Sequence, residues 1–156
     1  VIELDIPGFG PLALAHLVLD MNGTLTVAGE WIEGVRERLI ALSPQLDLHV
    51  LTADTYGRAG ALCANLPVAV TIIEAGQEAL AKRDYVVALG AQQTAAMGNG
   101  RNDARMLAEA RLGIAVMEAE GCAAQAAAAA TILCRGAVEA LDLLLHPQRL
   151  RATLRA

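Results

Sequence analysis

Aromatic residues are scarce: one Trp, two Tyr and one Phe in 156 residues. A core without large rings has to be filled by Ala, Val, Leu and Ile, and the 55% hydrophobic fraction supplies them. Cysteine is scarce too. Cys63, Cys122 and Cys134 are odd in number and lack metal-ligand spacing, which excludes a disulfide framework and fits reduced apolar residues of a cytoplasmic protein. No apolar run approaches the ~20 residues of a transmembrane helix, and a signal-peptide pattern is missing, so neither a membrane nor export is expected. Positive charge is in deficit, with 12 Lys and Arg against 17 Asp and Glu. Such a balance gives no field toward nucleic acid or anionic lipid, and an anionic ligand must be held by a local site.

The chain has the length of one domain, 1–156, rich enough in apolar residues to exclude disorder. The opening stretch alternates to Pro7-Gly8-Phe9-Gly10, resumes, and runs into Asp20, which predicts an N-terminal β-hairpin whose second strand ends on that aspartate. Helical spacing over 34–44 stops at Pro44. Strands are expected at 46–52, 68–73, 94–98, 113–116 and 131–134, with helices at 55–66, 77–89, 102–110, 121–130 and 138–145. Short apolar strands alternating with helices predict an α/β fold: a doubly wound, mainly parallel sheet with helices on both faces. In such sheets ligands bind beyond the carboxyl ends of the strands. The loops there are Asp20-Met21-Asn22-Gly23-Thr24, Thr52-Ala53-Asp54 and Gly98-Asn99-Gly100-Arg101-Asn102-Asp103.

Asp20 after a buried strand suits a nucleophile, and Gly23 lets the backbone come close to an anion. A simple Asx turn is the bland alternative. Thr52 at a second strand end offers a hydrogen bond to a phosphoryl oxygen, and Lys82 on the helix 77–89 offers a point charge. The asparagines and aspartate of 98–103, at a strand-to-helix junction, suit Mg²⁺ and anion ligation.

Together these loops resemble the haloacid dehalogenase superfamily of phosphohydrolases and phosphotransferases. Its motifs look like "DMNGT" at 20–24, "HVLTAD" at 49–54, Lys82, and "GNGRND" at 98–103, most similar to the soluble, P-type-ATPase-like phosphatases of that superfamily. The resemblance implies a Rossmann-like core and a Mg²⁺ cofactor. Asp20 would form an aspartyl phosphate, with Asn22, Thr52 and Lys82 completing the catalytic set. Gly23, Thr24, Thr52, Ala53, Lys82 and Asn102 would bind phosphate, and Asp20, Asn22, Asn99 and Asp103 would hold the metal.

Two positions depart from the family pattern. Asn22 stands where an aspartate usually protonates the leaving group and activates water; an amide does neither, and general acid–base help is worth about 10²–10⁴-fold, so turnover should be slow. P-type ATPases also lack a carboxylate there. Asn99 replaces a charged metal ligand, which weakens the cation site by on the order of a few kcal/mol at an effective dielectric of ~20 and shifts ligation toward Asp103.

Only a flap, "LTVAGEWIEG", and one helix separate Asp20 from Thr52, so no cap domain is expected. An open site excludes water poorly, and either a second copy of the chain closes it or the phosphorylated substrate is large, small molecule or macromolecule. Trp31 and Ile32 would be that contact surface, or would pack on their own domain. Arg149, Arg151 and Arg155 suit a helix C-terminus, while His16 and His49, within strands, receive no function. The alternatives are an impaired regulatory or oligomerising protein that keeps the phosphate site, and a phosphate-accepting receiver domain. The early position of Asp20 and "GNGRND" speak against the receiver domain.

Overall fold

The structure is a computed structural model that describes residues 1–54 and 57–156. Its elements in chain order are β1 (Ile2–Ile6), β2 (Gly10–Leu14), β3 (His16–Asp20), β4 (Thr26–Val27), β5 (Glu30–Trp31), α1 (Val35–Leu42), β6 (Asp47–Thr52) and α2 (Ala59–Leu62). They continue as β7 (Val68–Ile72), α3 (Glu78–Leu89), β8 (Thr94–Gly98), α4 (Ala104–Glu109), β9 (Leu112–Val116), α5 (Ala124–Ala129), β10 (Ile132–Cys134), α6 (Ala137–Leu145) and α7 (Pro147–Leu154).

Among the described residues, six strands form one sheet in the order β10-β9-β8-β3-β6-β7, and every neighbouring pair is parallel. Both faces are covered, as an all-parallel sheet requires. Leu17 and Leu19 of β3 pack with Leu39, Leu42, Leu141 and Leu144 of α1 and α6, while Val18 between them packs with Val86, Met106 and Leu107 of α3 and α4. The period-2 alternation of a strand thus feeds two separate cores. Gly113 permits the close approach of α4 to β9, since a Cβ there would stand 2.2 Å from the Leu107 carbonyl oxygen.

The expected double-wound sheet and hairpin are present, with two differences. The stretch from Gly10 to Asp20 is two strands. β2 pairs antiparallel with β1 in a separate two-stranded ribbon, whereas at Ala15 the backbone already bonds Gln93 and Asp47 and enters the main sheet. The helix expected over 55–66 is the single turn α2 where described, with Thr55 and Tyr56 outside the described residues.

The chain leaves β3 to build β6 and β7 on one side, then crosses to build β8, β9 and β10 on the other. The switch point of the topology therefore lies beside β3, where α/β sheets open a crevice. Asp20, Thr52 and Gly98 end the three central strands there.

Candidate active site

The segment after Asp20 turns sharply because the Met21 carbonyl accepts the N–H groups of Thr24, Leu25 and Thr26 at 3.2, 2.9 and 3.1 Å. Gly23 sits at φ 81°, in the left-handed region. A methyl group on it would stand 2.9 Å from Asn99 Nδ2 and 3.2 Å from Glu120 Oε2. Glycine is therefore required twice, by the turn and by the side chains crowded against it.

Beneath this turn lies a buried ion cluster. Lys82 Nζ donates to Asp20 Oδ1 and to Asp103 Oδ1, each at 2.7 Å, with Asn102 Oδ1 at 3.4 Å. Lys82 is 2% exposed, Asp20 8% and Asp103 0%. The Thr24 hydroxyl stands 3.0 Å from Asp20 Oδ2 and 3.2 Å from Asn99 Oδ1, and its single hydrogen serves one of them at a time. Burial, and then the charge of Asp103, push the Asp20 carboxyl up to about 6 against the opposing pull of Lys82. Burial depresses Lys82, but the two carboxylates outweigh it and the ammonium is held above its ordinary value. Asp20 is raised even though it is paired because burial comes first, and one lysine between two buried carboxylates leaves an excess negative charge that adds to it. A cation in front of Asp20 would relieve that excess.

The open side of the cluster is a cavity of about 250 Å³ lined by Asp20, Asn22, Thr52, Ala53, Lys82, Asn99, Gly100 and Asn102, together with Glu78 and Glu120. Most of the residues singled out from sequence thus converge on one space. Three do not line it. The Gly23 and Thr24 amides close the turn, donating to the carbonyls of Thr26 and Met21 at 2.7 and 3.2 Å, so they are not turned out to meet a phosphate. Asp103, expected on the metal, stands behind the wall. Its Oδ1 is on Lys82 and its Oδ2 accepts the Asn99 and Gly100 amides at 3.0 and 2.9 Å, which makes it the brace of the 98–103 loop.

Thr52 Oγ1 accepts the Asp54 amide at 3.1 Å, and Asp54 Oδ1 in turn takes the amides of Arg58 and Ala59 at the start of α2. A second cavity, about 370 Å³, adjoins the first and shares Asn22 and Glu120 with it. Its walls are the flap residues Thr26, Ala28 and Gly29 and the α2 residues Arg58, Ala59 and Leu62. The flap packs on its own domain, because Trp31 Nε1 donates to the Leu62 carbonyl at 3.2 Å. Glu78 and Glu120 went unnoticed in the sequence. Glu78 stands one turn before Lys82 on the same helix, which was a readable signal; Glu120 sits in a loop with no motif.

Residues 77–133, which carry Lys82 and the 98–103 loop, match the family model of haloacid dehalogenase-like hydrolases. Over that stretch, rather more than a third of its length, the chain is similar to haloacid dehalogenase-like hydrolases. An uncharacterized protein of Methanocaldococcus jannaschii is 43% identical over 60 residues, 38% of this chain, and the matched part is 64% of that protein's length, just under two thirds. A second uncharacterized protein of the same organism is 44% identical over 39 residues, 25% of this chain and 89% of that one. Among solved structures, the fold is shared with 3-deoxy-D-manno-octulosonate 8-phosphate phosphatase from Moraxella catarrhalis, in complex with a magnesium ion, a phosphate ion and a KDO molecule (TM-score 0.71, 18% identity, 90% of each chain). It is also shared with the cobalt-bound deoxy-D-mannose-octulosonate 8-phosphate phosphatase from Haemophilus influenzae (TM-score 0.72, 17% identity, 92% of this chain and 94% of that one). As expected from the sequence, no cap is inserted between Asp20 and Thr52, which only β4, β5 and α1 separate. No described helix is long and apolar enough to cross a membrane.

Proposed function

We propose that the protein is a Mg²⁺-dependent phosphohydrolase, or a phosphotransferase to an acceptor other than water, that works through a covalent phosphate on Asp20. One observation carries this reading: a buried, lysine-paired carboxylate with uncompensated negative charge faces a polar cavity at the switch point of the sheet. The donor set suits a hard divalent cation, with Asp20, the Asn22 carbonyl and the Asn99 amide oxygen as oxygen ligands. When bound, that ion offsets the repulsion between Asp20 and a phosphate dianion and stabilises charge in the transition state.

The chain's own residues do the rest. Thr52, the Ala53 backbone and Lys82 hold the phosphoryl oxygens, and the incoming phosphate takes the place of Asn102, the longest contact of Lys82 at 3.4 Å. Asp103 acts from behind by fixing Lys82 and the loop. An Asp20 oxygen bonds to phosphorus as the bond to the leaving oxygen breaks, and the alkoxide or phenoxide takes its proton from water. Water then attacks the aspartyl phosphate, releasing inorganic phosphate and regenerating the Asp20 carboxylate. The leaving group occupies the larger cavity beneath the flap. Asn22, at the border of the two cavities, gives no proton to either step, so leaving groups that depart without protonation are favoured and the aspartyl phosphate is long-lived.

The test is hydrolysis of an aryl phosphate with and without Mg²⁺ by the wild type and by Asp20→Asn. Mg²⁺-dependent release of phosphate that disappears in Asp20→Asn supports the proposal; equal rates in the two proteins overturn it. A second reading, a regulatory protein that holds phosphate without useful turnover, rests on Asn22 and is the outcome if phosphate binds with Mg²⁺ but no hydrolysis exceeds background. Closure of the cavity by a second copy of the chain belongs to the same proposal, as does action in the cytoplasm.

A further inference from the structure

We infer that Glu120 supplies the carboxylate that the cation site lacks at Asn99, an inference that rests on the metal-dependent reading above. The buried cluster of Asp20, Lys82 and Asp103 sums to a single negative charge, and the two asparagines add none. Cation sites for Mg²⁺ ordinarily include one or two carboxylates free to face the ion. Here Asp103 has both oxygens committed to Lys82 and the loop amides, which leaves Asp20 alone.

Glu120 is placed to add the second. It lines both cavities beside Asn22, and its Oε2 and the Asn99 amide crowd the same point over Gly23. The loop that presents it is fixed at both ends. Glu118 Oε1 accepts the Ala137 amide at 2.7 Å at the start of α6, and the Gly121 amide closes back on the Glu118 carbonyl at 2.8 Å. Gly121 adopts φ 80°, the left-handed conformation that this tight turn needs.

The last tie is the informative one. Asn99 Nδ2 donates to the Gly121 carbonyl at 3.1 Å, and the Asn99 carbonyl accepts the Ala123 amide at 2.8 Å. An aspartate at position 99 would put charge on the cation but has no N–H to give Gly121. Asparagine there holds the loop instead, and the loop returns the charge through Glu120. The substitution that weakens the site in the sequence is the one that positions its replacement.

The experiment is calorimetric titration of Mg²⁺ into the metal-free wild type, Glu120→Gln, Glu78→Gln and the double variant Asn99→Asp/Glu120→Gln. Glu120 is exposed, so its amide variant should keep the wild-type melting temperature without metal. Loss of a ligand carboxylate predicts at least about tenfold weaker Mg²⁺ binding in Glu120→Gln, with recovery to within a few-fold of wild type in the double variant. Glu78→Gln, which removes equal charge from the same cavity, should lose much less. Unchanged affinity in Glu120→Gln, or an equal loss in Glu78→Gln, would overturn the assignment of Glu120 while leaving the metal-dependent reading intact. Failure of the wild type to bind Mg²⁺ would overturn both.

Discussion

Two titratable clusters sit between the same strands and the same helix, and they are built on opposite principles. At the carboxyl ends of β3 and β6, Asp20, Lys82 and Asp103 are buried, two acidic side chains against one basic one. Toward the other end, His16 Nδ1 lies 3.3 Å from His49 Nε2, His49 Nδ1 lies 2.9 Å from the Tyr85 hydroxyl, and exposed Asp47 stands 3.7 Å from His16. Tyr85 is one helical turn from Lys82 on α3. In the histidine cluster two rings and a hydroxyl hydrogen-bond one another, and neither histidine lines either cavity. A buried charge that its neighbours leave uncompensated, opening on a cavity, is the mark of a site. A chain of side chains that satisfy one another away from any cavity is the mark of packing.

Lys82→Met is the largest perturbation of this contrast. It leaves two buried carboxylates facing each other without a cation, and a loss of about 3–5 kcal/mol of stability is expected by urea unfolding, with loss of phosphate binding. Asn22→Asp restores an acid–base group at the cavity border and should raise aryl phosphate turnover by about 10²-fold, read as kcat. If kcat is unmoved, protonation does not limit the reaction.

The pH dependence of stability separates the clusters by sign. Asp20 is raised from 3.8 to about 6, so across that window the metal-free native state holds a proton that the unfolded chain has released, and its contribution to stability falls as pH rises. His49 is lowered below 6.5, by burial first and then by His16. Below 6.5 the unfolded chain takes up a proton that the native state refuses, so this contribution is lost as pH falls. His49→Gln should remove the second slope and leave the first, in unfolding measured from pH 7 to pH 4, with an effect at pH 7 of only about 1 kcal/mol from the lost Tyr85 hydrogen bond. An unchanged profile in His49→Gln would show that burial does not hold His49 below its ordinary value.

Much of the site was readable because its chemistry is written in strand ends. Asp20, Thr52 and the start of the 98–103 loop follow apolar runs, and a parallel sheet delivers such positions to one edge. Lys82 was legible only through the family motif, since a helical lysine alone says nothing about burial. Two kinds of information were not in the pattern. Alternation continues across Ala15, so the passage from ribbon to main sheet shows only in which strands its neighbours bond. Glu120 follows no strand directly and belongs to no motif; its relation to Asn99 depends on a turn that brings residues 22 positions apart in sequence into hydrogen-bond contact. The role of Asp103 was likewise hidden, because whether a carboxylate faces a cavity or braces a loop is decided by the donors around it.

The most direct measurement is a rapid acid quench of the protein mixed with ³²P-labelled aryl phosphate and Mg²⁺, followed by peptide mapping. The account predicts a hydroxylamine-labile label on the peptide containing Asp20, formed faster than phosphate is released and absent from Asp20→Asn. Release of phosphate with no labelled protein at any time, or a label on another residue, would contradict it.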